Sequence, residues 1–276
     1  MGRWRAAPEG RWTTVKPTKK LKSDIAWSTP DRIVVRGHDL VEELLGKASL
    51  GDVAFLELKG RLPTKQESTV FNALAVTLVE HGMTPSAIAA RLTYFGAPES
   101  LQGAVAAGLL GIGDRFGGSI EGAARMLQEA LQGAESSADL AAVAATIVQE
   151  HKANKQPIPG VGHPVHKRVD PRTPKLFALA AANGLSGRHV ALMNLVSEEA
   201  TRSSGRLLPV NATGAIGAIA SELELPWRTC RGLAVIARAI GLVAHLQEEM
   251  EEPLAGEIWS RIEEESSSHL RPTSAD

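Results

Sequence analysis

The chain has 276 residues, 43% of them apolar, and a formal net charge of −1. That length supports one or two domains with a sizeable core. The near-neutral balance excludes a global field that would drive the chain onto nucleic acid or a membrane.

The first 22 residues are locally basic, with Arg3, Arg5, Arg11, Lys16, Lys19, Lys20 and Lys22 against Glu9 alone. Residues 1–30 read as an arm lying on the domain or on a partner subunit. MGRWRAAPEG lacks the apolar stretch of a signal peptide. Thr13–Val15 and Arg32–Val35 are candidate strands, and DRIVVRGHDL reads as a short hairpin strand, a turn and a helix. Residues 31–266 then read as one mostly α domain, and residues 267–276 as a tail that frays beyond about Glu265.

Helix follows helix from Asp39 onward. TKQESTVFNALAVTLVEHG sets Val70, Phe71, Leu74, Leu78 and Val79 at helical spacing, with Gly82 as its stop. Thr84 caps the next helix, with Pro85 at its first position. Pro98 opens another, through Leu110. SIEGAARMLQEALQG puts Ile120, Ala124, Leu127 and Leu131 on one face, and SADLAAVAATIVQEH takes Ser136 or Ser137 as cap. Further helices fall at about 173–183 and 187–203, and three more fill 208–266, broken at Pro226 and Pro253. At least two-thirds of the chain should be helical. No apolar run reaches about 18 residues without a charge, so no membrane span is expected. The one cysteine, Cys230, excludes an intrachain disulfide. It reads as a buried thiol in a helix and fits a reducing, cytoplasmic setting.

The polar chemistry concentrates in IPGVGHPVHKRVDPR, residues 158–172. Its prolines and glycines exclude regular helix and make a shaped loop. His163, after Gly160-Val161-Gly162, is held in a rigid loop, where a histidine suits acid–base or hydrogen-bond work or simply bonds a carbonyl. His163 and His166 do not make a metal pair, because Pro164 breaks helical geometry and no third ligand is near. Lys167, Arg168 and Arg172 suit carboxylate or phosphate contacts, and the neighbouring glycine N–H groups favour an anion over a merely solvated charge run. GIGDRFGGSIEG enters a helix and is either an anion site or a tight packing contact. It is neither a P-loop nor a dinucleotide fingerprint. His81 follows a helix C-terminus, where the helix dipole favours the protonated ring and so a carboxylate or oxyanion partner, or a plain C-cap.

Taken in order, RGHDLVEELL, LKGRLPTKQE, EHGMTPSAIAAR, GDRFGGSIEGAARML, PGVGHPVHKRVDPR, LPVNATGAIGAI and ARAIGLVAHLQEE resemble the citrate synthase superfamily, over roughly residues 30–250. The closer likeness is to the citryl-CoA lyase module of ATP-citrate lyase. Citrate synthases carry a histidine in the GPxHGG motif where this chain has Phe116 in GDRFGG. The resemblance implies a multi-helical citrate synthase-like fold, with His163 and His81 catalytic and Phe116, Arg172 and Arg238 around the substrate. Lys167, Arg168 and the turn Gly160–Gly162 would lie on the coenzyme A side. It implies no permanently bound cofactor and no metal, with a coenzyme A thioester and a di- or tricarboxylate as ligands. It also implies a homodimer or higher homo-oligomer packed through helices near 98–111 and 117–130.

Two positions depart from the family pattern. Asn211 stands where the family has a catalytic aspartate, and Pro164 stands where many members carry arginine. An amide holds a hydrogen bond but cannot exchange a proton with carbon. Three readings follow: a lyase acting on citryl-CoA or an analogue, a condensing enzyme joining another acyl-CoA to a 2-oxo acid, or a coenzyme A-binding protein without turnover.

Overall fold

The computed structural model describes residues 3–6, 12–15, 21–114, 117–133, 139–163 and 168–271. The structure is 67% helical, as the sequence predicts. It divides into two compact units, residues 1–61 and 62–276.

The first unit holds all the named strands. β1 (Arg3–Ala6) pairs antiparallel with β2 (Trp12–Val15). β3 (Ala26–Ser28), β4 (Ile33–Val35) and β5 (His38–Asp39) form a second antiparallel sheet in that order. β1, β3 and β5 escape the sequence reading because strands of two to four residues are too short to show alternation. Asp39 ends the sheet and starts a π-helical turn, Leu40–Leu44, by accepting the Val41 and Glu42 N–H groups. Arg32 Nε donates to the same carboxylate at 2.7 Å. A capping box at Ser49 and Asp52 starts α1 (Leu50–Lys59). Arg36 ties the sheet to that helix by donating to Glu57 through Nε (3.2 Å) and Nη2 (2.7 Å).

The second unit is helical: α2 (Lys65–Val79), α3 (Pro85–Gly96), α4 (Leu101–Leu110), α5 (Gly118–Leu131), α6 (Leu140–Ala153), α7 (Arg172–Ala182), α8 (Arg188–Ser204), α9 (Ala212–Glu222), α10 (Trp227–Glu251) and α11 (Ala255–Ser267). α9 is its centre. Every residue from Gly214 to Ser221 is buried, against α5, α7 and α8. α10 packs on α2, α3, α4 and α5. By length and composition α10 could cross a bilayer, and 39% of its apolar window is buried within this unit. Cys230 is buried on α10, as expected, and burial together with the nearby Glu121 charge pushes its thiol up to about 12.

Four helix boundaries differ from the sequence reading. α4 starts at Leu101 rather than Pro98, because Ser100 N–H closes a turn onto Ala97 O and Pro98 takes the second position of that turn. α2 stops at Val79, before Gly82, because Glu80 is extended (φ −140°, ψ 150°). α6 is capped by Asp139, which accepts the Ala141 N–H, while Ser136 and Ser137 lie outside the described residues. α11 runs past Glu265 to Ser267 and ends in a 3₁₀ turn, Ser268–Leu270.

Candidate active site

A cavity of about 410 Å³ opens in the helical unit. Its walls include His81, His163, Arg172, Asn211 and Arg238, five of the residues singled out in the sequence. Thr84 and Ser86 at the start of α3, Gly117 and Ser119 at the start of α5, Arg172 at the start of α7 and Asn211 at the start of α9 also line it. Four helices therefore begin at one cavity. Their N-terminal dipole ends, two arginines and the lack of any Asp or Glu among the described lining residues together favour an anion.

The two arginines are held differently. Arg172 donates to Asp170 through Nε (2.9 Å) and Nη2 (2.8 Å), and the fully buried Asp170 also accepts the Ala212 N–H at 2.8 Å. Burial alone would raise the Asp170 carboxyl, but these bonds overcome it and bring the pKa down to about 2. One carboxylate thus fixes the first residue of α7 to the first residue of α9. Arg238, by contrast, has a buried Nη1 with no hydrogen bond, 3.6 Å from Glu80 Oε1. A buried guanidinium N–H without an acceptor is costly, and a substrate carboxylate would satisfy it.

Glu80 anchors the other wall. Its Oε1 accepts the His81 N–H at 2.7 Å and faces His245 Nε2 at 3.1 Å. Burial raises its carboxyl, but the His81 N–H, His245 and Arg238 outweigh that and hold it below its ordinary value. His245 Nδ1 faces Arg91 Nε (3.3 Å) and Nη2 (3.1 Å). Arginine can only donate, so Nδ1 accepts and the ring proton sits on Nε2, aimed at Glu80. Arg91 is fully buried and also binds Glu248 and Glu249. Gly241 lets this wall form, since a Cβ there would collide with the Val79 carbonyl.

Asn211 has most of its polar capacity committed. Oδ1 accepts from Gly214 N (3.0 Å) and Thr213 Oγ1 (2.7 Å), and Nδ2 donates to Gly162 O (2.7 Å). Three of the four bonds an amide can make are used, leaving one N–H. The side chain caps α9 and clamps the His163 loop to it. Gly160 makes the same join through backbone: it sits at φ +83°, its carbonyl accepts the Asn211 N–H, and a Cβ would strike Gly214.

The family model for the citrate synthase C-terminal domain matches residues 65–260. The chain belongs to the citrate synthase family. Within the family it is similar to the citryl-CoA lyase of Hydrogenobacter thermophilus, with a TM-score of 0.80 at 37% identity over 94% of this chain and 96% of that one. The ATP citrate lyase of Methanothrix soehngenii, solved with citrate and coenzyme A, gives a TM-score of 0.70 at 25% identity over 86% of this chain and 40% of that one. ATP-citrate synthase beta chain protein 2 of Arabidopsis thaliana is 29% identical over 233 residues, 77% of this chain and 37% of that protein. The chain thus spans between a fifth and two-fifths of the length of the curated relatives it matches.

Other family-derived residues fare differently. Phe116 and Lys167 lie outside the described residues. Arg168 is exposed, and neither it nor the turn Gly160–Gly162 is among the residues lining the cavity. Two of the turn's N–H groups are paired within the fold. Val161 N–H goes to Ile158 O (3.3 Å) and Gly162 N–H to Pro209 O (2.7 Å), so these N–H groups shape the loop rather than meet an anion. The sequence reading missed Glu80, Arg91 and His245. The spacing of EHG and AHLQEE holds the signal, but only the α2–α10 and α3–α10 contacts bring the groups together.

Proposed function

We propose that this chain cleaves citryl-CoA, or a related 3-hydroxy di- or tricarboxylyl-CoA, to acetyl-CoA and a 2-oxo acid such as oxaloacetate. The observation that carries the reading is the single cavity where two histidines and two arginines meet four helix N-termini. Arginines and helix N-termini suit a polycarboxylate, and histidines suit the proton transfers of a carbon–carbon cleavage. The likeness to a citryl-CoA lyase over nearly the full length of both chains supports the same class.

In this reading Arg172 and Arg238 hold carboxylates of the acyl group. His81 takes the hydroxyl proton as the Cα–Cβ bond breaks. The carbonyl of the 2-oxo acid forms, and the bonding pair moves onto the thioester as an enolate. Asn211, through its remaining N–H, holds the thioester oxygen, and His163 returns a proton to the enolate carbon. Coenzyme A is a substrate group here and not a resident cofactor.

The position of Asn211 favours one other reading. A carboxyl group there could exchange a proton with carbon, whereas the amide is largely spent on structure, and losing a general acid or base typically costs about 10²–10⁴-fold. A chain of this design could bind a coenzyme A thioester without turning it over. Mixing the protein with citryl-CoA and following acetyl-CoA and oxaloacetate separates the two. Turnover that His163→Ala abolishes supports the lyase. Binding without turnover of citryl-CoA or any related thioester leaves the second reading.

A further inference from the structure

Among the described residues, three buried side-chain nitrogens have no hydrogen-bond partner: Arg238 Nη1, Arg188 Nη2 and His189 Nδ1. The first belongs to a residue that lines the cavity described above. The other two belong to neighbouring residues, and both residues line a separate cavity of about 550 Å³. That cavity lies at the opposite end of α5. α5 begins at the first cavity, and its last turns, at Gln128 and Leu131, line the second. At about 1.5 Å per residue, the 14 residues of α5 carry the chain roughly 20 Å between them.

Two arginines and one glutamate line the second cavity. Arg188 lies in its wall, and Arg228 stands at its exposed edge, stacked 4.1 Å over the Trp227 ring, which also lines it. Stacking fixes the guanidinium plane and leaves its N–H edge free to bond. One carboxylate, Glu129, also lines the cavity, and Glu222 lies beside it; both have cationic or N–H partners. Glu129 accepts from Arg125 Nε at 2.9 Å. Glu222 accepts the His189 N–H (2.8 Å) and Val190 N–H (3.0 Å), and its Oε2 lies 3.5 Å from His189 Nδ1 without a hydrogen bond. Arg188 lines the cavity, while its Nη2 lies just beneath the surface, shielded from water and without an acceptor, so an anion that reached it would satisfy a costly unpaired donor.

We propose that this cavity is a second ligand site, which binds a small molecule through a phosphate or carboxylate group held by Arg188 and closed over by Arg228. The proposal does not depend on the lyase reading. Calorimetric titration of the full chain with inorganic phosphate, and separately with succinate, tests it. At least one of the two is expected to bind. Phosphate binding identifies a phosphoryl ligand, and succinate binding a carboxylate. Arg188→Gln is expected to weaken that binding by about ten- to a hundredfold. Arg228→Gln, at the solvent edge, should weaken it by only about two- to fivefold. Arg238→Gln, in the first cavity, should leave this site intact. If a melting curve shows that Arg188→Gln fails to fold, Arg188→Lys replaces it, since it keeps the charge but loses the planar fork, with about tenfold weakening expected. Failure of both anions to bind at millimolar concentration overturns the proposal. So does binding that Arg238→Gln removes and the Arg188 variant spares, since that places the anion in the first cavity.

Discussion

Arg238 and Arg172 share a cavity, but their partners give them different parts. Arg172 is neutralised by Asp170, whereas Arg238 has only Glu80 at 3.6 Å. Arg238→Gln is therefore expected to lower kcat/KM for a tricarboxylyl thioester by about ten- to a hundredfold, mainly through KM, in steady-state kinetics. His245 acts one step further back, as a positioning residue for Glu80 and, through it, for Arg238 and His81. His245→Phe should raise KM by about tenfold while changing kcat less, and His245→Gln, which can still donate to Glu80, should recover most of the loss. An aspartate at position 211 would set a carboxylate against the Gly162 carbonyl, where the amide now donates at 2.7 Å. Only its protonated form could donate there, so its folded pKa would be raised above the usual value near 3.9. The stability cost of Asn211→Asp should then be small below about pH 4 and grow toward pH 7, to about 1–3 kcal/mol, in denaturation measured across that range.

At the scale of elements, the His163 loop and the start of α9 are one joint. Gly162 N–H to Pro209 O, Asn211 N–H to Gly160 O and the Val161–Val210 bridge make a short antiparallel contact between two loops. Gly160 fits because it has no side chain at a left-handed backbone position pressed against Gly214. Gly160→Ala should cost about 1–3 kcal/mol in chemical denaturation and shift His163. The sequence marks this loop as special through its glycines and prolines, and the structure shows one task for them: letting two backbones approach. That partner lies some fifty residues away in sequence, beyond the reach of local pattern.

At the scale of the molecule, Asp170 links two helices through one charge. Its carboxyl is depressed from the ordinary 3.8 to about 2, so its contribution is fully present above about pH 4 and is lost as pH falls toward 2. That contribution is on the order of 2 kcal/mol. Asp170→Asn should flatten the acid limb of the stability curve over that window, as read by thermal melts from pH 2 to 5. We also propose that the chain forms at least a homodimer through α4 and α5. The exposed Leu101 and Leu110 at the two ends of α4 support it. Sedimentation at micromolar concentration should give twice the chain mass, and a monomer there would refute it.

The sequence by itself determined the helical class, most helix positions and the ordered motifs that carry His81, His163, Arg172 and Arg238. These are local properties: spacing sets amphipathic faces, caps start helices, and prolines and glycines stop them. Only the tertiary structure decided how those residues are held. The Arg91–His245–Glu80 line, the committed amide of Asn211 and the unpartnered nitrogens of Arg188 and Arg238 all depend on which groups meet across distant helices. Charge and hydrogen bonding act over a few ångströms of space, and sequence distance does not measure that.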